Sequence, residues 1–207
     1  MALSSKVLQR KRVGKKNKRK ARLPSKSVAA GYSWPLYEAW ITKKSQFWDN
    51  GVGYVIVSRK NDNDIAIGAY LVDIYCLGVK DCYYRSTNIS GYRNFLDMMA
   101  DAAGSLELVD FVYANTLIHK AVEYAQLLGF KPYKDFTKLQ KMLIDIPISE
   151  KLKFNFGQDG KPLYIQGPYE TAARAKKILQ TLDMNVGVGN YHFIVIDEDF
   201  LSGPRSD

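Results

Sequence analysis

The sequence predicts an α+β fold in which an antiparallel, hairpin-based sheet is packed with helices. First, two apolar runs rich in β-branched and aromatic residues, Val52–Ser58 and Ile65–Val79, flank a polar break at 60–64, as in a β-hairpin. Second, later segments carry apolar residues at helical spacing. Third, hydrophobic residues make up 46% of the 207-residue chain, which is enough for a folded core.

Positive charge is concentrated at the N-terminus. Residues 1–27 hold eleven Lys and Arg and no acid, whereas the rest of the chain holds nineteen basic and 21 acidic side chains. Because its charges repel one another, this segment is expected to be disordered or extended on its own. We divide the chain into a basic arm (1–30), an α+β core domain (31–148) and a C-terminal β-β-α-β subdomain (149–207).

The basic arm predicts a nucleic-acid partner, because phosphates are a dense source of neutralising charge. No aromatic residue precedes Tyr32, so the arm is expected to contact the backbone rather than stack on bases. The other interpretations of this segment are a solubilising run, a nuclear-localisation signal at Lys15–Lys20 and a mitochondrial presequence. The predicted contacts are Lys6, Arg10, Lys11, Arg12, Lys15, Lys16, Lys18, Arg19, Lys20, Arg22 and Lys26.

The core domain is interpreted as the hairpin followed by helices. Pro35 is placed at the start of a short helix, because Leu36, Tyr37, Trp40 and Ile41 have helical spacing. The three tryptophans, Trp34, Trp40 and Trp48, are interpreted as structural anchors rather than as a stacking platform for bases. Further helices are predicted at 92–103, 107–128 and 137–143.

The C-terminal subdomain is predicted as β-β-α-β. Apolar residues alternate on both sides of Asp159-Gly160, which is a hairpin signal. A helix over 170–182 and a strand over 191–196 follow. The glycine-rich stretch 187–190 joins helix to strand, the wrong order for a phosphate-cradling loop, so it is interpreted as a connector.

Asp73 is the strongest catalytic candidate, because a carboxylate within an apolar strand is costly unless it is paired or hydrogen-bonded. A metal-dependent nuclease would need further carboxylates at the same ion, and Asp81 and Asp110 are candidates. The other interpretation of Asp73 is a structural or capping acid, which we favour.

His119 and Glu123 are weaker catalytic candidates. They lie four residues apart on one predicted helix, where Asn115 could join them in half of a metal or acid/base site. An ordinary pair on a helix surface is the favoured interpretation. Cys76 and Cys82 are expected to be buried free thiols, and we predict neither a metal site nor a cofactor.

No apolar run reaches the ~20 residues that span a bilayer, and residues 1–27 lack the apolar stretch of a secretory signal. A cytoplasmic protein without a membrane partner is therefore expected.

Three stretches together resemble an uncharacterised bacterial protein family, some members of which carry a cysteine-rich SEC-C zinc motif. They are GAYLVDIYCLGVKD (68–81), AVEYAQLLGFKPYKDF (121–136) and FGQDGKPLYIQGPY (156–169) with VGVGNYHF (186–193). This chain lacks the SEC-C motif, having two cysteines only. The resemblance implies a bacterial cytosolic setting and carries over no activity or catalytic residues.

Three functions are compatible with these features. The favoured one is a non-catalytic RNA-binding protein, ribosomal or ribosome-associated, because acid-free arms of this composition resemble the extensions of ribosomal proteins. RNA is preferred over DNA on the same comparison. The alternatives are a metal-dependent nuclease or hydrolase that uses Asp73, and an interaction subunit in a nucleoprotein complex of a mobile element or defence system.

Overall fold

Residues 31–195 are described by a computed structural model, in which helices cover both faces of an antiparallel sheet. The predicted α+β class is confirmed. In chain order the elements are β1 (Leu36–Thr42), α1 (Lys44–Asn50), β2 (Val52–Asn61), β3 (Asp64–Asp73), β4 (Gly78–Asn88), α2 (Ile89–Ala103), β5 (Leu106–Val109), α3 (Phe111–Leu127), α4 (Phe136–Leu139), a 3-10 turn (Gln140–Leu143), β6 (Leu163–Ile165), α5 (Ala172–Asn185) and β7 (His192–Ile194). None of the helices described is long and apolar enough to cross a membrane.

The main sheet has five strands in the order β4-β3-β2-β1-β5, and every neighbouring pair is antiparallel. The predicted hairpin is its centre: β2 and β3 pair from Val52 opposite Asp73 to Asn61 opposite Asp64. Helix α3 and the 136–146 segment cover one face, and α2 covers the other. The two central strands are therefore buried on both sides, which explains their nearly continuous apolar sequence.

The prediction of a short helix at Pro35 is wrong, because residues 36–42 form strand β1 between β2 and β5. Ala39 and Ile41 pack into the cluster beneath α3, whereas Trp40 packs against the cluster beneath α2. A strand with two buried faces has no polar alternation, so its apolar residues also satisfied a helical spacing.

The second predicted strand, Ile65–Val79, is interrupted by a turn. Strand β3 ends at Asp73, and β4 begins at Gly78. Of the residues between them, Ile74 and Tyr75 pack into the main core, whereas Cys76 and Leu77 pack into a second hydrophobic cluster with Tyr164 and the buried face of α5. The apolar run was therefore correctly predicted to be buried but wrongly predicted to be one strand.

The helix predicted over 107–128 begins later than expected. Leu106–Val109 forms strand β5 at the edge of the sheet next to β1, and Asp110 then caps α3 by accepting hydrogen bonds from the N–H groups of Val112 and Tyr113. The aspartate is a good N-cap. The helix predictions at 92–103 and 170–182 agree with α2 and α5 apart from their ends, and 137–143 spans α4 and the 3-10 turn.

The C-terminal unit (149–195), which is the described part of the C-terminal subdomain, does not have the predicted β-β-α-β order. Strands β6 and β7 pair in parallel, with α5 between them, and residues 152–156 form no strand. Phe154 stacks on Trp48 (centroids 5.9 Å apart) and Phe156 stacks on Tyr124 (5.1 Å). These residues are held by aromatic contacts with the main core, and only Gln158 and Lys161 pair across the Asp-Gly turn.

Candidate functional site

The eleven basic residues of the arm lie outside the described residues, as does Ile196 at the end of the predicted last strand. The described part of the chain, 31–195, is nearly neutral, with 18 basic and 17 acidic side chains. The excess of positive charge therefore belongs to the arm.

Asp73 caps the turn that joins β3 to β4. The residue is only 3% exposed, and its Oδ1 accepts hydrogen bonds from the N–H groups of Tyr75 and Cys76, each at 2.9 Å. Burial raises the pKa of Asp73, and the charge of Lys80 and the backbone hydrogen bonds oppose that rise. The carboxylate is thus engaged in holding the turn.

Lys80 links Asp73 to the C-terminal unit. Its Nζ lies 3.8 Å from Asp73 Oδ2 and 3.9 Å from Glu170 Oε1. Glu170 also receives hydrogen bonds from the hydroxyl of Tyr164 (2.9 Å) and the N–H of Gly167 (3.1 Å), and its Oε1 lies 3.6 Å from Nε of Arg174. Opposite charges alternate through this largely buried cluster, so it stabilises the contact between the β3–β4 turn and the C-terminal unit.

Replacing Asp73 tests this structural role. In Asp73→Ala the N–H groups of Tyr75 and Cys76 lose their acceptor in a buried site, so the free energy of unfolding should fall by about 2 kcal/mol. Asp73→Asn keeps an oxygen for both N–H groups, and Lys80 keeps its ion pair with Glu170, so the loss in the free energy of unfolding should be less than about 1 kcal/mol. Urea denaturation of both variants measures the difference. Equal losses in the two variants would show that the charge, rather than the cap, matters.

The other predicted acids do not join Asp73. Asp110 caps α3, and Asp81 lies exposed on β4, where its Oδ1 accepts a hydrogen bond from the N–H of Cys82. Within residues 31–195, no group of three or more His, Cys, Asp and Glu side chains is arranged to hold a metal ion. Both cysteines are buried free thiols.

His119 and Glu123 lie on the same helix but have different neighbours. Glu123 forms an ion pair with Lys120 (3.1 Å), whereas the His119 ring lies edge-on to Phe136, with the centroids 6.5 Å apart. Burial lowers the pKa of His119, and the charge of Glu123 opposes this only in part. Burial therefore favours the neutral imidazole, in which one nitrogen is a donor and the other an acceptor.

A cavity of about 360 Å³ lies beside His119, between α3 and the segment 137–148. Asn115 and His119 line it from α3, one helical turn apart. The facing residues, which sequence reasoning did not identify, are Thr137, Gln140, Lys141, Leu143, Ile144, Ile146 and Ile148. These residues carry only a weak sequence signal, because a short run of mixed apolar and polar residues after a helix does not indicate which part of the protein it contacts.

Comparisons of the chain with protein-family models, with curated proteins and with solved structures give no significant match. The resemblance to the uncharacterised bacterial family therefore stays a prediction.

Proposed function

We propose that this protein is a non-catalytic RNA-binding protein whose basic arm binds the phosphate backbone. The observation that supports the proposal is the separation of charge: residues 1–27 carry eleven basic side chains and no acid, while residues 31–195 are nearly neutral. An arm of this charge releases many counterions when it binds a polyanion, so its association is strong and depends on salt. The body serves to place the arm.

We propose ribosomal RNA, in the cytoplasm, as the natural target. The arm has no aromatic residue and no groove-reading pattern, so it fits a target recognised by shape and phosphate spacing. Folded ribosomal RNA presents such phosphates at high density, and extended basic arms can lie between its helices.

The geometry gives the nuclease alternative no support. The Oδ1 atom of Asp73 is occupied by two backbone N–H groups, and its Oδ2 faces Lys80. A metal-dependent nuclease instead needs carboxylates with free oxygens that converge on one ion.

Neutralising part of the arm tests the proposal. In the full-length protein, replacing Lys15, Lys16, Lys18 and Lys20 with Gln should weaken binding of a structured RNA by at least about tenfold at moderate salt, because four phosphate contacts are lost. Deleting residues 1–27 should abolish binding. Fluorescence anisotropy with a labelled RNA measures both effects.

The matched control removes the same number of charges from the exposed surface of the body. Lys151, Lys153, Lys176 and Lys177 are all exposed, and replacing them with Gln should leave RNA affinity within about twofold. An equal loss in the two quadruple variants would place the binding surface on the body and contradict the proposal. Duplex DNA of the same length should compete less well than the RNA.

A further inference from the structure

The lining of the cavity between α3 and residues 137–148 divides into a polar half and an apolar half. Thr137, Gln140 and Lys141 are three and four residues apart, so they share one side of the helical segment 136–143. His119 adds a half-buried imidazole from α3. The apolar half consists of Leu143, Ile144, Ile146 and Ile148. A ligand that fills the cavity therefore needs a polar end and an apolar body.

Lys141 is the only lysine, arginine or acid among the residues that line the cavity. In the described part of the chain its ammonium group forms no ion pair. The acids nearest to it in sequence already have cations, because Asp135 pairs with Lys138 and Asp145 pairs with Arg59. The cavity thus presents one uncompensated positive charge, which favours a ligand with a single negative charge.

Neutral hydrogen-bonding groups lie on the same polar half. The side chains of His119, Thr137 and Gln140 make no hydrogen bond to other described residues, and each can donate one to a carboxylate oxygen. Asn115 differs from them, because its Nδ2 already donates to the carbonyl oxygen of Ile146 at 2.6 Å. The polar end of the cavity is therefore equipped to bind an anion without any contribution from Asn115.

The apolar half is open to solvent at one end. Ile144 is 83% exposed and Ile148 is 43% exposed, whereas Leu143 and Ile146 are buried. Ile144 follows Lys141 by three residues, which is one 3-10 turn or about 6 Å along the segment. A hydrocarbon chain attached to an anion at Lys141 would cover these isoleucines, and removing their surface from water is favourable. The volume of about 360 Å³ suits a small molecule.

We propose that this cavity binds a medium-chain aliphatic monocarboxylic acid. Its carboxylate accepts hydrogen bonds from Lys141 and the neutral donors beside it, and its hydrocarbon chain covers Ile144 and Ile148. A phosphate of RNA would use Lys141 alone and leave the isoleucines in water, and an aliphatic amine would be repelled by Lys141. The site belongs to the body of the protein and does not depend on the proposed RNA-binding function.

Titrating octanoate into the full-length protein tests the inference. Octanoate should bind saturably and shift the NMR amide signals of residues 137–148 and of α3 around His119. Each fully buried methylene raises affinity by about fourfold, and partial burial by less, so octanoate should bind at least about tenfold more tightly than butanoate. Octanol has the same chain without the charge and should bind about three- to fivefold more weakly than octanoate.

Two variants separate the contributions of the charge and the apolar wall. Lys141→Gln should lower octanoate affinity about three- to fivefold and leave octanol affinity unchanged. Ile144→Gln should weaken both ligands several-fold, and its exposure means that the replacement leaves the core intact. The matched control is Lys138→Gln, since Lys138 does not line the cavity and is paired with Asp135. It should change neither affinity.

Several results would overturn the inference. One is the absence of saturable octanoate binding, and another is an octanoate affinity that Lys141→Gln leaves unchanged. Equal affinities for octanoate and octanol would make the cavity an apolar surface, such as a contact for another protein, rather than a carboxylate site. Signals that shift mainly outside residues 137–148 and α3 would place octanoate elsewhere.

The same ligands separate this inference from the proposed function. The variant with Lys15, Lys16, Lys18 and Lys20 replaced by Gln should bind octanoate with unchanged affinity while its RNA binding falls. Lys141→Gln should leave RNA affinity within about twofold, because this lysine serves the acid rather than RNA. A larger loss of RNA affinity in Lys141→Gln would contradict the assignment. Failure of the arm experiment is therefore distinguishable from failure of this one.

Discussion

Replacing Arg59 with alanine is expected to lower the free energy of unfolding by about 4 kcal/mol. Arg59 is the largest of the fully buried side chains in the described part of the chain, at 1% exposure. Its guanidinium donates to the carbonyls of Trp34 and Met142 and forms a bidentate ion pair with Asp145. Its loss would leave a cavity and two carbonyl groups without their donor.

Two further variants separate the causes of this loss. Arg59→Lys keeps the charge but cannot reach both carbonyls and the carboxylate with one nitrogen, so it should still cost about 2 kcal/mol. Asp145→Asn should cost only about 1 kcal/mol, because the amide oxygen can still accept a hydrogen bond from the buried Arg59 guanidinium and the Asp145 side chain itself is 58% exposed to solvent. Denaturant unfolding of the three variants measures the order of their losses in the free energy of unfolding. A larger loss for Asp145→Asn than for Arg59→Lys would contradict this account.

The dependence of folding stability on pH follows from the same ion pair between Arg59 and Asp145. The hydrogen bond from Arg59 lowers the pKa of Asp145 below its usual value. A carboxyl group with a depressed folded-state pKa contributes stability above its unfolded pKa of about 3.9, and this contribution is lost as the pH falls through the folded-state value. Asp145→Asn should therefore flatten the loss of stability in acid, below about pH 4.

Replacing Gly78 with alanine is expected to be the second large effect, with a loss of about 3 kcal/mol in the free energy of unfolding. Gly78 has a φ of 64°, a conformation that L side chains rarely adopt. An added Cβ would also lie 2.8 Å from the carbonyl oxygen of Ala121 and 2.8 Å from the Cβ of Ala125, both on α3. The backbone of the turn thus approaches the helix too closely for a side chain.

Gly160→Ala is the matched control for this substitution. Gly160 has a similar φ of 79°, but nothing lies within 4 Å of its added Cβ, so only the cost of the backbone conformation applies. Its loss should be about 1 kcal/mol. Thermal or urea unfolding compares the two variants. If they lose equal stability, the contact of the β3–β4 turn with α3 is less tight than described.

The central hairpin could be predicted from the sequence because its signals are local. The strands 52–58 and 65–73 are rich in β-branched residues, and the polar break between them marks the turn. Strand β1 could not be predicted, since its residues fill two cores that form only when both helix layers are in place. The parallel pairing of β6 with β7 depends on residues nearly 30 positions apart, which no local turn signal reports.

The candidate site, too, could be predicted from the sequence only in part. The sequence indicated that Asp73 must have partners, and a structural role was the favoured interpretation. The hydrogen bonds that Asp73 accepts from two backbone N–H groups agree with that role. Those partners, and Glu170 nearly 100 residues away, could not be found from spacing. Asn115 and His119 were noted as neighbours on a helix, but the segment 137–148 that closes the cavity over them is placed by tertiary packing.

The salt dependence of RNA binding tests the central claim most directly. For the full-length protein, log K against log salt concentration should be linear and steep. The variant with Lys15, Lys16, Lys18 and Lys20 replaced by Gln should have a slope shallower by about three to four units if all four contact phosphates of the structured RNA. The variant with four body lysines replaced should keep the full slope. If the arm variant kept the full slope instead, the arm would not be the element that neutralises RNA.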